Sequence, residues 1–156
     1  MPADFHVQRD ATGREYRYLV LNREVPSPLL RARAHWIIRR LDIERMNRAA
    51  ATLLGEHDFA PFAGAWASTE RSTVKTLTRA EWSREGENVR FDIAGNSFVY
   101  QQVRRIVGAL LEVGGGKMSA KAFEALASSD KRSAGPVAPP HGLYLTKVAY
   151  NEWPPG

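Results

Sequence analysis

The stretch FVYQQVRRIVGALLEVGGG, residues 98–116, constrains this chain more than any other. With residues set about 100° apart around a helix, Val99, Val103, Ile106, Leu110 and Val113 fall on one stripe. A helix so one-sidedly apolar must bury that stripe against a sheet or against other helices. The glycines at 114–116 then end it. Two adjacent arginines interrupt the pattern. Arg105 falls well away from the stripe and is expected to reach water. Arg104 falls on its shoulder, beside Tyr100, Val107 and Leu111. Two accounts of Arg104 are open. In one, the aliphatic stem lies on apolar surface and the head group reaches solvent. In the other, the guanidinium points into a cleft and pairs with an anion, because a charge near a core is costly unless partnered.

Strand patterns supply the surface for that helix. In REYRYLVLN, residues 14–22, Tyr16, Tyr18 and Val20 share one face. The segment 23–36, with two prolines and three arginines, reads as a connection and not a packed element. Asp42 is placed to cap a helix carrying Ile43, Met46, Ala50, Leu53 and Leu54, closed by Gly55. Residues 56–72 read as irregular. A hairpin follows: a strand over 73–82, turn chemistry over 83–88, then Val89, Phe91 and Ile93 alternating with Arg90 and Asp92. Asn96 is expected to cap the long helix, and Ser119 a shorter one, AKAFEALAS. A proline- and glycine-rich loop, 130–142, leads to a last strand at 143–150. The order β, α, β, β, α, α, β predicts an α+β fold over 1–156: one domain, a mixed or antiparallel sheet with helices packed on one face.

Composition excludes some chemistry. There is no cysteine, so neither disulfides nor thiolates are available. The four histidines, His6, His35, His57 and His141, show no metal-ligand spacing, and no metal site is expected. GGGKMS is not a phosphate-binding P-loop: Leu111 stands where the first glycine is needed, and Met118 follows Lys117 in place of Ser or Thr. Nor is Lys117-Met118-Ser119 enough for a synthetase signature. Lys and Arg number 22 against 17 Asp and Glu, a net charge of +5 that favours a polyanionic partner. No apolar run is long enough to cross a bilayer, and MPADFHVQRD lacks the pattern of a secretory signal. A cytoplasmic protein is the expectation.

Several separated runs carry a resemblance. FVYQQVRRIVGALLEVGGG, the preceding FDIAGN and the following AGPVAPPHGLYL are similar to TruA-type tRNA pseudouridine synthases. So are DFHV, ATGREYRYLVLNR and LLGEHDFAPF, and the runs occur in the family's order. The resemblance implies a pseudouridine synthase-like half domain that isomerises uridine to pseudouridine in the tRNA anticodon arm. It implies no metal or organic cofactor, a homodimer, and a basic cleft into which the target nucleotide is flipped. It puts the family's active-site tyrosine on Tyr16, within Arg14-Glu15-Tyr16, where it would stack on the uracil. The family's helix arginine falls on Arg104, paired there with the catalytic aspartate. The leucine of its Gly-Leu-Tyr motif falls on Leu143, a wall of the base pocket.

One part of the pattern is missing. The family's catalytic aspartate lies in a motif close to Arg-Thr-Asp-x-Gly-Val-His, and none of Asp4, Asp10, Asp42, Asp58, Asp92 or Asp130 has that context. The expectation is therefore a C-terminal half, inactive alone, that needs a missing N-terminal half for its nucleophile. The alternative is a non-catalytic RNA-binding or dimerisation module. On either reading Arg31, Arg33, Arg39 and Arg40 are the candidate phosphate contacts.

Overall fold

A computed structural model of the chain describes residues 11–64, 72–129 and 135–150. Its elements run β1 (Ala11–Asn22), β2 (His35–Ile37), α1 (Ile43–Ala51), β3 (Gly55–Asp58), β4 (Val74–Glu85), β5 (Asn88–Gly95), α2 (Gln102–Gly114), α3 (Ala120–Ala127) and β6 (Leu143–Tyr150). Short 3-10 turns occupy Ala60–Phe62 and Pro140–Gly142.

β1 is the hub of a mixed sheet ordered β2-β1-β5-β4-β3, with β6 also on β1. One edge of β1 is shared: β6 pairs antiparallel along its first part, Tyr16 opposite Leu145 and Tyr18 opposite Leu143. Beyond it, β2 pairs parallel with the last three residues, Val20 opposite His35. The other edge takes β5, antiparallel, with Tyr16 opposite Ile93 and Tyr18 opposite Phe91. Because strand side chains alternate, Tyr16, Tyr18 and Val20 share a face with Phe91 and Ile93. Helices α1, α2 and α3 cover that face. The core holds Tyr18, Phe91, Ile93 and Trp82 from the sheet with Met46, Ile106, Leu110, Val113 and Phe123 from the helices. The α+β fold, with its helices on one face of a mixed sheet, is the one expected.

Several elements differ from expectation. Residues 23–36 are not wholly a connection. His35 begins a strand of only three residues, too short to show a period, and the turn before it is hydrogen-bonded, Ala34 N–H to Leu30 O at 3.0 Å. β3 falls in a region read as irregular. Its residues GEHD are all exposed, so no apolar alternation marks it; the ladder to β4 holds it. Gly55 does not end α1, which stops at Ala51; it opens β3 with φ of 92°, a conformation that glycine adopts without strain. The first hairpin strand runs on to Glu85, leaving a two-residue turn with Gly86 at φ 63°.

The long helix also begins later than its sequence suggests. Residues 98–101 are not helical, and Gln101 takes a left-handed φ of 64° before α2 starts. Asn96 therefore does not cap α2. Its Oδ1 accepts from Thr76 N–H at 3.0 Å and Ser97 N–H at 2.8 Å, locking the end of β5 to β4. Asp42 and Ser119 do cap α1 and α3, accepting from Arg45 N–H and Ala122 N–H. Among the described residues no helix is long and apolar enough to cross a membrane.

Candidate active site

The stripe read from sequence is buried as expected: Val103, Ile106, Leu110 and Val113 of α2 all lie in the core. Arg104 emerges at its edge, half-buried, against the segment 136–139. Two hydrogen bonds join them. Ala138 N–H donates to Arg104 O at 3.0 Å, and Arg104 Nε–H donates to Ala138 O at 2.9 Å. One turn further along the same face of α2, Gly108 makes the close approach possible. A Cβ there would sit 2.4 Å from Pro136 O. Small residues at 108 and 138 thus let a proline-braced strap lie on the helix and fix the base of the Arg104 side chain.

The next carbonyl of the strap serves the sheet. Tyr18 Oη donates to Pro139 O at 2.6 Å, and the ring is fully buried. Burial pushes the Tyr18 phenol well above its ordinary range, and the nearby Arg104 charge opposes that rise only partly. Tyr18 is thus a core tyrosine with one polar tether. Arg104 and Tyr18 meet on adjacent peptides, which sets the guanidinium beside the first strand and not in bulk water.

Tyr16 lies two residues along the same face of β1, half-buried. Its ring meets Phe98 edge-on, with centroids 5.1 Å apart at 89°. Leu143 stands opposite Tyr18 and is half-buried, while Leu145 stands opposite Tyr16 and is 53% exposed. The contacts run in a chain along β1: Tyr16 meets Phe98, Tyr18 lies near Arg104, and Leu143 stands opposite Tyr18. Gly142 permits this turn into β6, since a Cβ on it would lie 2.9 Å from the Tyr18 ring.

Among the described residues no carboxylate pairs with Arg104. Each described aspartate is engaged elsewhere. Asp42 caps α1. Asp58 accepts from Ala60 N–H at 3.0 Å. Asp92 is buried on the opposite face of the sheet, where Arg17 Nε–H reaches its Oδ1 at 2.8 Å and Arg90 approaches at 3.6 Å. Asp4, Asp10 and Asp130, like DFHV at the N-terminus, lie outside the described residues.

Arg105 departs from expectation. It is half-buried and not free in water: its NH2 donates to Gln101 Oε1 at 3.1 Å, and its Nε is buried without a partner. Burial, then the Arg104 charge, lower its pKa. The helix turns it toward the left-handed Gln101 and Gly135 because α2 is covered on this side by loops as well as by the sheet.

The four arginines proposed for phosphate are all exposed, but they do not converge. Arg33 lines a cleft on the open sheet face, and Arg31 lines a neighbouring one with Trp36, His35 and His141. Arg39 borders the groove between β2 and α2, while Arg40 stands near Arg84. Phe98, Gly108 and Ala138 went unread as site residues. Only the quoted motifs that contain them could have drawn attention to them, because none bears a reactive group.

Fold and contacts together define an α+β domain with a guanidinium tethered to the 136–139 strap, a Tyr16–Phe98 aromatic pair on the helix-covered face, and no carboxylate paired with that guanidinium among the described residues. The sequence profile of the tRNA pseudouridine synthases matches residues 49–151. The chain is 45% identical over 148 residues to tRNA pseudouridine synthase A of Acetivibrio thermocellus, covering 94% of this chain and 60% of that protein. It is 46% identical over 150 residues to the Neisseria meningitidis serogroup C protein of that name, covering 96% and 56% respectively. The Thermus thermophilus protein of that name gives 46% over 151 residues, covering 96% and 60%. The chain belongs to the tRNA pseudouridine synthase family, and it spans a little over half the length of these relatives.

Proposed function

We propose that this chain supplies the tyrosine, the arginine and the apolar wall of a tRNA uridine-to-pseudouridine isomerase, and that another segment or chain supplies the nucleophilic carboxylate. The reaction exchanges one glycosidic bond for another. The N1–C1′ bond breaks, a C5–C1′ bond forms, C5 gives up its proton and N1 takes one, so no oxidant or outside group is consumed. A carboxylate that attacks the nucleoside must be ionised and aimed. Arg104 suits both tasks: the strap engages its Nε, leaving its terminal N–H groups to meet a carboxylate in two-point fashion. Tyr16 offers a ring face held by Phe98 for an extruded uracil, and Leu143 closes the pocket on the β6 side. Exposed Arg31, Arg33, Arg39 and Arg40 would meet tRNA phosphates over a spread surface. Assembly as a homodimer and a cytoplasmic location belong to the same reading.

The single observation that carries it is Arg104, tethered to the strap beside Tyr18 and without a carboxylate partner among the described residues. Release of tritium from tRNA labelled at uridine C5 tests it. The chain alone should release none. Mixed with the amino-terminal portion of a relative that bears an aspartate motif, it should release tritium. Release by the unmixed chain would overturn the account.

A further inference from the structure

Gln101 is the one residue other than glycine that takes a positive φ among the described residues. Its φ of 64° and ψ of 8° stand at the third position of a turn closed by Gln102 N–H to Val99 O at 3.0 Å. Glycine or asparagine normally fills that position, because a larger side chain crowds the backbone there. A glutamine in it is strained, and such strain persists only where the surroundings enforce it. They do so here. Gly64 N–H donates to Tyr100 O at 2.8 Å. Gly64 packs so closely that a Cβ on it would lie 2.7 Å from both Gln101 Oε1 and the Tyr100 ring. Gln102 is buried, and its Oε1 accepts from Val99 N–H at 2.9 Å.

This turn joins the two ends of the chain of contacts along β1. Phe98, before Gln101 in sequence, meets Tyr16. Arg104, after it, lies near Tyr18 and donates to Ala138 O. The Gln101 side chain has a task of its own. It does not cap α2; its Oε1 accepts from Arg105 NH2 at 3.1 Å. Other holds on that head group are weaker. Arg105 NH1 reaches Gly135 O only at 3.4 Å, and the buried Nε has no partner among the described residues. The two guanidiniums are near enough for the Arg104 charge to lower the Arg105 pKa, after burial. A carboxylate entering beside Arg104 attracts both, and a freed Arg105 would draw it out of two-point alignment with Arg104.

We infer that Gln101 is a positioning residue for the isomerisation: its left-handed turn fixes the direction of Arg104 relative to the Phe98–Tyr16 pair, and its amide holds Arg105 aside so that Arg104 alone meets the carboxylate. The inference rests on the isomerase reading. Gln101 acts through Arg105 and through the turn, not on the base.

The test compares Gln101→Gly, Gln101→Asn, Arg105→Met and the double variant Gln101→Gly with Arg105→Met. Arginine-¹⁵N-labelled chains give the Nε–Hε resonances of Arg104 and Arg105. Mixtures with an aspartate-bearing amino-terminal portion give kcat and KM for tRNA by tritium release. Gln101→Gly keeps the left-handed turn and removes the amide. It should move both resonances and lower kcat at least tenfold, with KM within twofold. Gln101→Asn keeps an amide in a residue that tolerates the turn, and should hold kcat within twofold. Arg105→Met alone should do the same. In the double variant kcat should return to within twofold of the unaltered chain, because the competing guanidinium is gone. A merely structural glutamine would show no such rescue, so a double variant as slow as Gln101→Gly would overturn the inference. An unchanged kcat in Gln101→Gly would overturn it too. Should Gln101→Gly prove less stable, the double variant still decides, since it recovers only if Arg105 is the cause. No tritium release by the mixture with the unaltered chain would overturn the isomerase reading itself. The Arg105 resonance in Gln101→Gly would then uphold the restraint by moving, or overturn it by staying in place.

Discussion

Replacing Gly108 with alanine sets two local effects against each other. In an exposed helix the change would stabilise by about 1 kcal/mol, since alanine is the better helix former. Here the new methyl would lie 2.4 Å from Pro136 O, 2.8 Å from Pro136 C and 3.2 Å from Ala138 N, all backbone atoms without rotamers to give way. Ordinary contact begins near 3.4 Å, so the strap must retreat by about 1 Å. Overpacking of that kind costs roughly 1–3 kcal/mol. The retreat also weakens both hydrogen bonds between Arg104 and Ala138, removing about 1 kcal/mol of the roughly 2 kcal/mol that they contribute together. After the helix-propensity gain, the expected net loss is about 2 kcal/mol. Urea denaturation followed by circular dichroism reads it. With a slope of about 2 kcal/mol/M, the midpoint should fall by about 1 M with little change in slope. An unchanged or higher midpoint would mean that propensity wins and that the strap does not bear on α2. The anchoring of Arg104 would then lose its physical basis.

Three further outcomes follow from the same contacts. Tyr18→Phe should destabilise by about 1 kcal/mol, the net value of a hydrogen bond, because Pro139 O loses its donor. Burial raises the Tyr18 phenol, so the unfolded chain ionises first once pH passes about 10. Stability should fall with pH above that point, and less steeply in Tyr18→Phe. Burial, then the His141 charge, lower the His35 pKa. The unfolded chain therefore takes up the proton first as pH drops below about 6.5. Stability present above that pH should decline below it, and His35→Gln should flatten the decline; parallel urea midpoints at pH 5 and 7.5 give both slopes.

The hub strand, the hairpin, the α2 stripe and the final strand were legible because each repeats one pattern over enough residues. Tyr16, Tyr18 and Val20 alternate, and Val103, Ile106, Leu110 and Val113 recur at helical spacing. β2 and β3 were not legible. One has three residues and the other is wholly exposed, so tertiary pairing holds them and local preference does not. The start of α2 was misjudged because a left-handed glutamine breaks a run whose apolar period continues past it. At the site, Arg104 stood out as a charge on an apolar shoulder. Gly108, Ala138 and the 136–139 strap did not, because their roles are close approach and a carbonyl, which side-chain patterns do not record. Asp92 read as an ordinary alternating polar residue and proved to be ion-paired with Arg17 on the far face. Only the register between β1 and β5 shows that this aspartate cannot be the partner of Arg104.

The most direct measurement compares Arg104→Met with the unaltered chain, each mixed with an aspartate-bearing amino-terminal portion, for tritium release from C5-labelled tRNA. Unfolding midpoints of the two chains are recorded alongside. The account predicts that the variant stays folded and binds tRNA but loses turnover by at least a hundredfold. Turnover equal to that of the unaltered chain would show that the guanidinium merely lies along the surface, and would contradict the account.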